Sequence, residues 1–98
     1  MFGTVARMKA KPGMEAQLLE HLREYEALRI PGQIVTYLYR MDADPNEYYL
    51  AAVFDSRESY TANASNPEQE ARYRRLLALL DGEPEWHDGA VTKIPAQG

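Results

Sequence analysis

The chain has no cysteine among its 98 residues. That excludes disulfide stapling, thiol nucleophiles and thiolate metal sites together. No apolar run approaches the roughly 20 residues needed to cross a bilayer, so no membrane partner is expected. Met1 to Lys11 lacks the basic, apolar and small-residue order of a signal peptide, and a cytoplasmic location is the expectation. Positive charge is scarce: 11 Lys and Arg stand against 15 Asp and Glu, a formal net charge of −4. The isoelectric point of about 5.1 argues against a phosphate track, hence against nucleic acid. The two histidines, His21 and His87, lie far apart, which leaves no evident metal site.

What is present suits one soluble domain over residues 1–98, with 45% hydrophobic and 27% charged residues. Phe2 to Met8 reads as a strand, ended by Lys11-Pro12-Gly13. Met14, Leu18, Leu22, Tyr25 and Leu28 form an apolar helical stripe that Pro31-Gly32 stops. Gln33–Arg40 and Tyr48–Phe54 are β-branched and aromatic, and Asp44-Pro45-Asn46 between them predicts a hairpin. Asp55 with Glu58 has the form of a capping box, starting a short helix that ends near Asn63. Asn66-Pro67-Glu68-Gln69 starts another, with Tyr73, Leu76, Leu77 and Leu80 on one side and Gly82 as its left-handed cap. Glu85–Ile94 is the last predicted strand, and Pro95–Gly98 a tail.

This order is βαββαβ, the ferredoxin-like α+β pattern: a four-stranded antiparallel sheet with helices on one face. Both faces of the second and third predicted strands carry apolar side chains. Ile34 and Leu38 oppose Val35, Tyr37 and Tyr39; Leu50, Ala52 and Phe54 oppose Tyr49, Ala51 and Val53. Helices can cover one set only. The other predicts a homodimer joined sheet to sheet.

Three stretches carry a family resemblance: Lys11-Pro12-Gly13-Met14-Glu15, Phe54-Asp55-Ser56-Arg57-Glu58-Ser59-Tyr60, and Asn63-Ala64-Ser65-Asn66-Pro67-Glu68. With the element order, they resemble the antibiotic biosynthesis monooxygenases of the dimeric α+β barrel superfamily. The third stretch departs from the pattern, with Asn63 and Asn66 where many members have His and Ser. The resemblance implies a homodimer and oxidation of a small aromatic or polyketide-like molecule by molecular oxygen, with no cofactor. A haem-binding branch uses Asn, Trp and His; the corresponding Ala6, Asn63 and Tyr73 do not match it. An alternative is a non-catalytic ligand-binding or interaction module on the same fold.

Cofactor-free oxygenation needs a substrate anion, a group to deprotonate or orient it, and a dry pocket. The catalytic candidates are Asn63, Tyr73 and His87, the substrate-binding candidates Tyr37, Trp86 and Arg7. Each has a structural alternative. Asn63 suits a helix terminator, Tyr73 a core residue, and Trp86 core or interface. Trp86 and His87 are adjacent on a strand and must face opposite sides. His21, flanked by the apolar stripe of Leu18, Leu22 and Tyr25, is expected to face solvent, with a pocket as the alternative, and Arg72, Arg74 and Arg75 to form a solvated helix face. Tyr37, Tyr39, Tyr48, Tyr49 and Tyr60 suit either a stacking surface or a dimer core. An RNA-recognition reading fails on the missing basic residue and glycine before Tyr48. A phosphate-cradling reading fails because Arg7-Met8-Lys9-Ala10-Lys11 is not a glycine-rich loop.

Overall fold

Alternation sets the first strand. β1 (Phe2–Lys9) buries Phe2, Thr4, Ala6 and Met8 and turns Val5, Arg7 and Lys9 the other way. The computed structural model describes residues 1–96. α1 (Glu15–Ala27) follows, burying Leu18. Its expected stripe loses both ends: Met14 is an N-cap with no side-chain bond, and Leu28 lies past the last turn, 52% exposed. β2 (Gln33–Arg40) and β3 (Glu47–Phe54) form the hairpin, where the Asp44 carboxylate accepts a 2.9 Å bond from the Asn46 N–H.

α2 (Arg57–Ala64) is capped by Ser56, not Asp55: the Ser56 hydroxyl accepts from the Ser59 N–H at 3.1 Å. The reason is that the Asp55 N–H is still bonded to the Gly32 carbonyl, which holds Asp55 in the end of the sheet. α3 (Pro67–Leu79) starts as predicted, with Asn66 accepting from the Glu68 N–H and Pro67 in the first turn. It stops at Leu80, which turns extended to bridge Ala10. Gly82, at φ +90°, therefore serves the following turn and not the helix cap.

β4 (Glu85–Ala90) is shorter than predicted. It pairs only with β1, whose Phe2 meets Ala90, and a last backbone bond from Val91 to Met1 closes the ladder. Pro95 and Ala96 have no regular structure; the rest of the tail, Gln97 and Gly98, lies outside the described residues.

The sheet order is β2-β3-β1-β4 with every neighbouring pair antiparallel. Its helix-covered side divides into three zones along the strands. At one end Met8, Tyr48, Leu76 and Leu80 join the main core with Ala6, Ala10, Leu18 and Leu50. At the other end Phe2 and Phe54 meet Tyr60 edge-on, with ring centroids 5.3 and 5.5 Å apart. Between them the sheet presents short side chains: Thr4, Ala52 and Thr36 stand side by side across β1, β3 and β2. The uncovered side carries Val35, Tyr37, Tyr39, Tyr49, Ala51, Val53 and Val5, with Tyr37, Tyr39 and Val5 about half exposed.

Candidate functional site

Short side chains in the middle of the sheet leave a cavity under the helices. Its volume is about 450 Å³, within the range of roughly 300–1,000 Å³ typical of small-molecule sites. Thr4, Thr36, Leu38, Leu50 and Ala52 form the floor. Helical spacing builds the walls. α1 contributes His21, Leu22 and Tyr25; α2 contributes Tyr60 and Asn63; α3 contributes Gln69, Arg72, Tyr73 and Leu76 at i, i+3, i+4 and i+7. Trp86 of β4 stands at the open side, 40% exposed. Leu76 and Trp86 thus border the space without filling it.

The polar groups in these walls are connected. Asn63 Nδ2 donates to the Tyr25 hydroxyl at 2.8 Å. Arg72 Nε donates to Gln69 Oε1 at 3.1 Å, and its guanidinium carbon lies 5.4 Å from the centre of the Tyr25 ring. Trp86 Nε1 donates to the Tyr73 hydroxyl at 3.4 Å, with the two rings 6.0 Å apart. Burial raises the Tyr25 phenol above its ordinary value, against the opposing pull of the Asn63 bond and Arg72, so it keeps its proton at neutral pH. Burial, then Arg75 and Arg72, lowers His21, leaving it neutral at pH 7. The Tyr60 hydroxyl donates to Asp88 at 2.9 Å; burial and that carboxylate push it up to about 12.

Of the residues singled out in the sequence, Asn63, Tyr73 and Trp86 come together around this cavity. His87, Tyr37 and Arg7 do not; they lie on the opposite face of the sheet. His87 is next to Trp86, and strand alternation sends it away. Tyr37 pairs with Ala51 on the uncovered side, and Arg7 Nε donates to Glu47 there at 2.8 Å. The five tyrosines suggested as one surface are divided as well. Tyr60 lines the cavity, Tyr48 is buried at 1% exposure, and Tyr37, Tyr39 and Tyr49 face outward from the sheet.

Sequence reasoning assigned His21 to solvent and Arg72 to a solvated helix face. Both line the cavity, and the Arg72 side chain is only 13% exposed. Each sits on the flank of an apolar stripe, beside Leu22 and Tyr73 respectively. The available signal was the i, i+4 spacing of His21 and Tyr25 and of Arg72 and Leu76. Among the described residues, no group of three His, Asp or Glu is placed to hold a metal ion, and no helix is long and apolar enough to cross a membrane.

An antiparallel β2-β3-β1-β4 sheet with its helices on one face defines a ferredoxin-like α+β protein. Within that class the chain belongs to the antibiotic biosynthesis monooxygenase family, whose family model matches residues 1–80. It is similar to a solved structure from Chloroflexus aurantiacus assigned to that family, at 26% identity and TM-score 0.79, covering 99% of this chain and 98% of the other. A counterpart from Deinococcus radiodurans has the same fold at 16% identity, TM-score 0.83 and full coverage of both chains (100% and 100%). So does SnoaB, a cofactor-independent oxygenase from Streptomyces nogalater solved as a mutant, at 21% identity and TM-score 0.80 over 97% of each chain. No curated protein matches the chain.

Proposed function

We propose that the protein is a cofactor-independent monooxygenase acting on a small aromatic or polyketide-like molecule bound between sheet and helices. The observation that carries this reading is the open cavity of about 450 Å³, apolar in its floor and polar at a few convergent points. Family membership and the likeness to SnoaB, a cofactor-independent oxygenase, support it.

In such a reaction the substrate anion itself supplies electrons to oxygen. The protein's task is to bind, orient and dehydrate it. Asn63 holds the Tyr25 hydroxyl by donating to it, which leaves the Tyr25 proton to be donated to a substrate oxygen. Tyr73 and Trp86 offer aromatic surface at the open side for a planar ring. Overall, the substrate gives up two hydrogens; one atom of O2 enters the product and the other leaves with those hydrogens as water.

The test is oxygen uptake by purified, metal-free and flavin-free protein with a panel of reduced tricyclic phenols, using labelled O2 and mass spectrometry. One labelled atom per product molecule is expected. Trp86 is the only tryptophan, so its fluorescence reports binding separately. Quenching by a quinone without turnover of any phenol would instead make this a non-catalytic binding module.

We also propose that the protein is a homodimer joined through the uncovered sheet face. Val5, Ala51 and Tyr37 lie side by side there, with Tyr39 and Tyr49 in the next row. Burial at roughly 25 cal/mol per Å² favours covering such a patch. On this reading Arg7, Tyr37 and His87 serve the subunit contact. Sedimentation at micromolar concentration distinguishes dimer from monomer.

A further inference from the structure

The cavity wall contains a base that the reading above leaves unused. His21 and Tyr25 lie one turn apart on α1 and both line the cavity, while Arg72 reaches across from α3 to stand over the Tyr25 ring. Imidazole and phenol from α1 and the guanidinium from α3 therefore line the same side of the cavity. The sheet opposite them offers Thr4, Thr36, Leu38, Leu50, Ala52, Phe54 and Trp86, none of them charged. The charged groups acting on His21 are Arg75 and Arg72 from α3 and Glu24 from its own helix, and Arg23 and Glu26 of α1 and Glu70 of α3 also line the cavity. Arg72, its side chain 13% exposed and paired at 3.9 Å with the exposed Glu68, is the buried cation at one side of a mostly apolar space.

We propose that His21 is the proton acceptor for an acidic phenol bound in this cavity, and that Arg72 holds the resulting phenolate. The substrate O–H bond breaks, an N–H bond forms on the imidazole, and the electron pair stays on the phenolate oxygen. The two arginines oppose a lone imidazolium but favour an anion in the cavity. Proton transfer and anion binding therefore reinforce each other, and phenol and imidazole titrate as a pair. This inference rests on the oxygenase reading and narrows it: substrates carry an ionisable hydroxyl, and analogues with that hydroxyl methylated are not turned over.

The experiment uses 4-nitrophenol as a spectroscopic probe alongside oxygen uptake. Bound to the unmodified protein at pH 6, the probe is expected to show the nitrophenolate spectrum. His21→Gln should bind it within threefold but as the neutral phenol, and lose on the order of 100-fold in kcat/KM. The fall in wild-type kcat/KM on acidification, expected below the ordinary imidazole value of 6.5, should vanish in that variant. Arg72→Lys should restore part of the anion signal that Arg72→Gln removes; His21→Asn serves if the glutamine variant does not fold. Equal nitrophenolate in His21→Gln and wild type, with uptake intact, overturns this inference alone. Absent oxygen uptake with a His21-dependent nitrophenolate signal overturns the oxygenase reading and, with it, any catalytic role for His21. Failure of the probe to bind while oxygen uptake persists overturns this inference alone; failure of probe binding and of uptake together overturns both.

Discussion

Ala51 and Ala52 are neighbours in β3 and belong to different environments. Ala51 stands between Val5 and Tyr37 on the uncovered side; Ala52 stands between Thr4 and Thr36 in the cavity floor. The two faces are both largely apolar, yet they differ in side-chain size. Where helices cover the sheet, its centre is short-chained and a space remains. Where no helix covers it, tyrosines stand out about half exposed. Apolar character alone therefore does not tell a face that encloses a cavity from one left open; the distribution of bulk does.

Single substitutions can separate the two. The largest effect is expected for Ala51→Glu, which puts a charge into the proposed subunit contact. The dimer dissociation constant should rise by at least about 1,000-fold, the order of 4 kcal/mol, read by sedimentation. Ligand quenching of Trp86 should survive in the monomer. A wild-type protein that is monomeric at 100-fold higher concentration would remove this side of the comparison. Ala52→Phe is the mirror experiment. It should weaken quinone binding by about 100-fold through occupied volume while leaving the sedimentation profile unchanged.

Asn63→Ala comes next. It deletes the bond to the Tyr25 hydroxyl, and kcat/KM should fall about tenfold with a stability loss of about 1 kcal/mol in urea unfolding. Equal loss in an Ala51→Glu background would show that the cavity works independently of the dimer. The smallest effect concerns Tyr60. Its folded pKa of about 12 lies above the unfolded value of 10.0, so its contribution to stability is complete below pH 10 and disappears as pH rises from 10 to 12. Tyr60→Phe should flatten the stability profile in that window; an unchanged profile would disprove the tie to Asp88.

Much of this architecture was legible in the chain. The strand-forming run of β1, the alternation in β2 and β3 and the Asn66-Pro67 start of α3 are local signals, and they fall where expected. Errors arose where distant backbone decided. Asp55 is held by Gly32, so the cap moves to Ser56; Leu80 is drawn out to Ala10, so α3 ends before Gly82 can cap it. For the site, adjacency was enough to set Trp86 and His87 apart, but nothing local says which of two apolar faces the helices choose. That choice follows from packing of Leu18, Leu76 and Leu80 on Met8 and Tyr48. His21 and Arg72 were missed for a related reason. On a helix, the edge of an apolar stripe looks the same whether a groove or water lies beside it.

β4 has a consequence for how this scaffold can change over evolutionary time. The strand is six residues long and is held along one edge, by β1 alone. A one-residue insertion or deletion in the loop before Glu85 would shift its alignment and exchange inside for outside. Trp86 would leave the cavity and an imidazole or a carboxylate would replace it, with the other strands untouched. One small genetic event could thereby recast the chemistry of the chamber while the rest of the fold persists.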